Sequence, residues 1–297
     1  MLDFRYHALS LVAVFLALAI GIVLGVTIGD SLVSDAERAL RGNLRADVER
    51  AHGDAATARA ELLGRDRMLD ELYPQLVLNR LSGERVALVS WGPLPDGVES
   101  GVRDAIAQGG GRLDSVSVFD KPLTTLKQGL GDQDFAITTA DELSLKELGR
   151  SLARSLIAGD TLSKTLREQS PDNFGGRFRR ADAVVFYEAP NPTDGSDDAG
   201  VKERSDDRAR TIEAAMLDEL SKRTIAVAGV EQTTTDPSQI PRYKALKLST
   251  SDSVDKSGGR IALVYILTGA KGNYGFKPSA DKALPDQALT PSGVPTP

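Results

Sequence analysis

The chain has 297 residues, 41% hydrophobic and 26% charged, with a net charge of −6 and no basic stripe, so nucleic acid is not an expected partner. It has no Cys, two His (His7 and His52) and three Met, which excludes disulfides, Fe–S clusters and thiolate metal sites. Neither His has a second His at metal-ligand spacing, so soft-metal chemistry has little to work with.

Residues 1–7 form a short tail carrying Arg5, with Phe4 and Tyr6 suited to a membrane interface. Ala8 to Gly29 follows, 22 residues without a charge, an Asn, a Gln or a Pro. As a helix it reaches about 33 Å, enough to cross a hydrocarbon core of about 30 Å. Buried helices of soluble proteins seldom stay apolar on every face for that length. A cleavable signal would have a shorter apolar core and an A-x-A site, and none precedes Asp30. The stretch therefore reads as a retained transmembrane anchor in contact with membrane lipid. Ala13, Ala17, Gly21, Gly25 and Gly29 recur every four residues, a small-residue face that lets two helices approach closely. The expected location is the cell membrane, with the C-terminal domain outside the cytoplasm. Charge alone leaves orientation open, because Arg38, Arg41 and Arg45 after the span outnumber Arg5 before it.

Residues 30–74 read as a helical stalk. Leu44, Val48, Ala51, Ala55, Ala58, Leu62, Arg65, Leu69 and Leu72 alternate by three and four, a heptad seam with Val48, Ala55, Leu62 and Leu69 at its a positions. Val33, Ala36 and Leu40 join it through a stutter. The seam is Ala-rich at its centre, so burial there is small. Placed after an associating anchor, it predicts a parallel homodimer through anchor and stalk. Tyr73-Pro74 predicts the helix end, because Pro disfavours a helical residue before it.

Residues 84–276 read as a doubly wound, mainly parallel α/β domain with flanking helices, Rossmann-like in plan. Arg85–Trp91, Leu113–Phe119, Ala181–Glu188 and Thr224–Val230 are short apolar runs of buried-strand character. Gly97–Gln108, Asp141–Arg167 (with Gly159 as a break) and Lys202–Lys222 read as helices between them. Ile261–Leu267 fits either a fifth strand or a buried helix. Residues 190–200 read as a loop, and the Pro-rich tail 277–297 is expected to be disordered.

Catalytic signatures are missing. The first strand runs into Trp91-Gly-Pro-Leu-Pro-Asp-Gly97, where two prolines remove amide donors, and neither phosphate-loop pattern occurs. There is no G-x-S-x-G elbow. Asp194, Asp197 and Asp198 lack the alternation and closing Glu of a calcium loop, and Arg177, Arg179 and Arg180 read as a solvated edge. No catalytic, cofactor-binding or metal-ligating residues are assigned, no cofactor is expected, and the chain is read as a non-enzyme.

HALSLVAVFLALAIGIVLG near the amino terminus, the coiled stalk after it, and SDSVDKSGGRIALVYILTGAKGNYGF (Ser251–Phe276) together resemble the mycobacterial copper transport protein B family of actinobacterial envelope proteins. The resemblance covers nearly the whole chain except the tail, and by it Ile261 to Thr268 is expected to be helical. It implies a role in copper transport, efflux or homeostasis, as a channel or channel-associated subunit of the outer envelope. Its alternative implication is a coiled-coil scaffold for cell separation, with a peptidoglycan-hydrolase partner. A β-barrel channel would need repeated alternating segments of about 10 residues, whereas this chain has one apolar helical span.

Overall fold

Contacts divide the chain into two compact units, residues 1–65 and residues 66–297. The computed structural model describes residues 4–119, 141–190 and 199–289. One helix, α1, runs Phe4–Val77 and supplies the whole described part of the first unit. Its segment Tyr6–Gly25 has a mean hydropathy of 2.7 and is long and apolar enough to cross a membrane. Ala13 and Ala17 are exposed, and nothing lies within 4 Å of a side chain built at Gly21 or Gly25. Gly29 falls outside the residues whose side chains are described. Leu44, Val48, Ala51, Ala55, Ala58 and Leu62 are likewise exposed on the single chain.

The second unit is a seven-stranded sheet in the order β3-β2-β1-β4-β5-β6-β7. Its strands are β1 (Arg85–Trp91), β2 (Arg112–Phe119), β3 (Phe174–Gly176), β4 (Ala183–Glu188), β5 (Ala226–Val230), β6 (Ser249–Ser251) and β7 (Asn273–Tyr274). Every pairing is parallel except β2 with the edge strand β3. The winding reverses between β1 and β4, the place where open α/β sheets form their crevice.

Strand periodicity sorts the apolar residues into two cores. Val86 and Leu88 of β1, Ala183 and Val185 of β4, and Ala228 and Val230 of β5 face α2 (Asp96–Gln108), α7 (Ser257–Leu267) and the end of α1. Ala87, Val89, Val184, Phe186 and Val227 face α3 (Glu142–Ala158), α4 (Thr161–Gln169), α5 (Ala199–Ser221) and α6 (Ile240–Ala245). Burial on both faces is why these strands are continuous apolar runs rather than alternating ones.

The break expected at Gly159 is present: φ is +64°, and a side chain there would collide with the Phe178 carbonyl. Asp160 then caps α4, accepting from the Leu162 and Ser163 amides. Ile261–Leu267 is helical, as the resemblance implies, and lies wholly inside the first core.

Three readings need correction. The helix does not stop at Tyr73-Pro74 but continues to Val77. Pro74 itself is exposed, while Tyr73 and Val77 are buried in the core and hold the turn in place despite the missing amide donor. Seam residue Leu69 packs against the first core of its own domain. The tail is ordered as far as Leu289: Lys282 bridges to Tyr274, Pro285 and Ala288 are buried, and α8 (Asp286–Leu289) follows. The rest of the tail, and the loop residues Asp194, Asp197 and Asp198, lie outside the described residues.

Gly149 sits where α3 crosses α5, and a side chain there would collide with the Ile212 carbonyl and press on Ala215. Gly149→Val is expected to push the two helices apart and cost about 1–3 kcal/mol, read as a lower thermal midpoint with the far-ultraviolet spectrum of the folded protein retained at low temperature.

Candidate functional site at the carboxyl ends of the sheet

Charge enters the core where β4, β5 and β6 end. Glu188 closes β4, Glu231 follows β5 and Asp252 follows β6, and all three are buried. Parallel strands deliver their last residues to one edge of the sheet, so three carboxylates converge there and each requires partners.

Arg242, on α6, serves the first of them together with a fourth buried carboxylate, Glu213. Its Nη1 donates to Glu188 Oε1, and its Nη2 donates to Glu213 Oε2, from α5, at 2.6 Å. The second oxygens, Glu188 Oε2 and Glu213 Oε1, have no hydrogen-bond partner among the described residues. Burial pushes the Glu213 carboxyl up to about 8, opposed by the Arg210 charge. Tyr243 lies beneath this group, its ring against Gly229 and edge-on to Phe186, and its hydroxyl accepts the Glu188 amide at 2.8 Å. Burial, then the nearby Glu213 and Glu231 carboxylates, push the Tyr243 hydroxyl well above its ordinary range.

Glu231 is fully partnered: Ser238 Oγ and Lys277 Nζ donate to Oε1 at 2.9 and 2.7 Å, and the Gln239 amide donates to Oε2 at 2.7 Å. Asp252 accepts the Phe276 and Lys277 amides at 2.8 and 2.9 Å, and Ser253 Oγ at 2.9 Å. The segment Gly275–Lys277 therefore lies as a strap across the ends of β5 and β6, tied down by the carboxylates it covers.

A second feature sits at the amino end of α7, a cleft of about 490 Å³ bordered by α1, α2, α7 and Phe276. Lys256 pairs with Asp66 at 3.4 Å, Ser257 Oγ donates to Asp70 at 2.5 Å, and Arg260 donates to Asp104 at 2.9 Å. Acidic residues at a helix amino terminus are favourable to its dipole. Tyr73 donates to Asp104 at 3.1 Å, and its hydroxyl is raised by burial first and by that carboxylate second.

The residues singled out in the sequence lie elsewhere. The small-residue face and the seam from Leu44 to Leu62 are on α1 within the first unit, exposed as far as their side chains are described. Leu69 borders the cleft, and Leu72 is 44% exposed beside it in sequence. Arg177, Arg179 and Arg180 are exposed next to edge strand β3, as expected of a solvated edge. Glu188, Glu213, Arg242, Glu231, Asp252 and Lys277 were not legible as a group. Their one signal is positional and partial, a carboxylate at or just after the end of an apolar strand at Glu188 and Glu231, whereas Asp252 follows the polar run Ser249–Ser251. Among the described residues, no group of three or more His, Cys, Asp or Glu is arranged to hold a metal ion.

Residues 1–285 match the family model described as copper transport outer membrane protein, MctB. The chain belongs to the MctB family. The match takes in the apolar helix, the stalk region, the α/β domain and the strap, so MctB membership describes the whole architecture rather than one module. It places the chain among copper-transport-related envelope proteins. No curated protein matches the chain in sequence.

Arg242→Met would remove the guanidinium that Glu188 and Glu213 share, leaving buried acid without its counter-charge, and it is expected to lower stability to urea by about 3–5 kcal/mol. Arg223→Ala, which breaks an exposed pair with Glu219 one helical turn away, is expected to change it by less than about 1 kcal/mol.

Proposed function

We propose that this MctB-family chain is a single-pass envelope protein that supports copper export as a non-enzymatic, channel-associated subunit, not as the conduit itself. The observation that carries the reading is the self-satisfied end of the sheet. The carboxylates at the carboxyl ends of β4, β5 and β6 are held by the chain's own Arg242, Lys277 and strap, so they are not left open to a ligand. A domain built this way offers its outer surface to a partner.

The inventory of soft ligands supports the same division of labour. Copper as cargo favours thiolate, thioether and imidazole. Here His7 and His52 both lie in the first unit, and Met216 is wholly buried. Transfer along this chain has no run of such ligands to follow.

Anchoring through the segment around Tyr6–Gly25 rests on that segment's length, hydropathy and exposure, and placing the α/β domain outside the cytoplasmic membrane rests on the family's description as an outer membrane copper transport protein. Homodimerisation through the small-residue face and the seam rests on apolar side chains left open, with Leu44 62% and Leu62 57% exposed. Because Leu69 is engaged by its own domain, the seam open to another helix is continuous only from Leu44 to Leu62, with Leu72 exposed beyond it. The same open, Ala-rich stretch favours a second reading, a scaffold whose stalk receives the helix of an envelope partner such as the cell-separation machinery.

Deleting the gene is expected to make cells copper-sensitive, with rescue by the full chain and not by a form lacking residues 1–29. A deletion strain that tolerates copper like its parent rules the transport reading out. Reporters fused after Gly29 and at the carboxyl terminus test the orientation. Disulfide crosslinking of Leu62→Cys in a chain that has no native Cys tests the dimer, for which uncrosslinked monomer at every concentration would be decisive.

A further inference from the structure

The group around Arg242 holds more acid than base. Glu213 is completely buried and Glu188 is about nine-tenths buried, yet both lean on one guanidinium. A guanidinium carries a single positive charge, so it balances one carboxylate and not two. Each carboxylate also keeps one oxygen without a donor among the described residues. Ionised carboxylate oxygens accept only, and burying one without a donor is costly.

The surroundings offer little relief. Tyr243 on α6 donates no charge and its hydroxyl accepts the Glu188 amide, Tyr187 of β4 turns into the opposite core, and Glu231 after β5 is already matched by Lys277. On α5 itself Arg210 acts on Glu213 from an exposed position. On α3, Lys146 and Arg150 line the outer groove that Arg210 borders.

We propose that the Glu188–Arg242–Glu213 group is a proton-binding site that holds one proton on Glu213 around neutral pH and releases it to solvent as pH rises, weakening the seating of α5 on β4 and α6. The proton forms an O–H bond at Oε1, the oxygen lacking a partner, while Oε2 continues to accept from Arg242. Glu188 stays ionised and matches the guanidinium. Burial raises Glu213 to about 8 from its ordinary 4.5, which sets the window. Between those limits the folded chain holds a proton that the unfolded chain has lost. Stability from this group is therefore complete at low pH, falls as pH rises through the window, and levels off above it. The inference does not depend on the copper reading.

The test uses the full chain in detergent micelles. Glu213→Gln keeps the shape and supplies a permanent donor. Unfolding equilibria of the two proteins are compared from pH 5 to pH 9. Relative to Glu213→Gln, the wild type is expected to lose about tenfold in folding equilibrium constant per pH unit within the window. Infrared spectra of the wild type should contain a protonated-carboxyl band at pH 7 that disappears by pH 9 and is missing in Glu213→Gln. Equal pH dependence in both proteins, or no protonated carboxyl in the wild type at pH 7, overturns the proposal. If the variant does not fold, the wild-type infrared titration decides alone.

Discussion

A parallel sheet covered on both faces admits charge only at the ends of its strands, and this domain is arranged around that restriction. All six residues of β4 are buried, ending in Glu188, while β5 and β6 run directly into Glu231 and Asp252. Nothing apolar can satisfy those carboxylates, so the chain must bring cations and amides to them. α6 exists at its position to deliver Arg242 and Tyr243, and the strap returns to deliver Lys277 and two backbone amides. Such partnerships add little net stability over an apolar core, but removing one member is costly, which makes them effective at fixing a single arrangement.

The same closing region gives physical content to the family likeness. Ser251–Phe276 contains the end of β6, the Asp252 clasp, α7, β7 and the beginning of the strap. Its two glycines at the start of α7 lie against close neighbours, and at Gly259 the neighbour is backbone that cannot give way. A side chain at Gly259 would strike the Ser253 carbonyl, and one at Gly258 would strike the Phe276 ring. This segment closes the sheet and receives the last turns of α1.

The apolar stripe on α1 has two fates. Leu69, Tyr73, Leu76 and Val77 are packed with the α/β core, whereas Leu44, Val48 and Leu62 are open. Heptad spacing cannot tell these apart, since a side chain that packs on its own domain and one that awaits another helix recur with the same period.

The sequence by itself determined the apolar span, the long helix after it, the central strands and the helical break at Gly159, because each depends on local periodicity, charge or glycine geometry. It also carried the resemblance that made α7 a helix. Strands β3, β6 and β7 are two or three residues long, too short for any period to register, and they form only because a neighbour offers an unpaired edge. The tail through Leu289 looked too polar and proline-rich to order, and its few apolar residues found a finished surface to pack on. Arg242 lies 29 residues from Glu213 and 54 from Glu188, and no spacing rule joins them. Only the tertiary structure decided that partnership, because parallel winding brings the ends of distant strands to one edge and removes the water that would otherwise keep their charges apart.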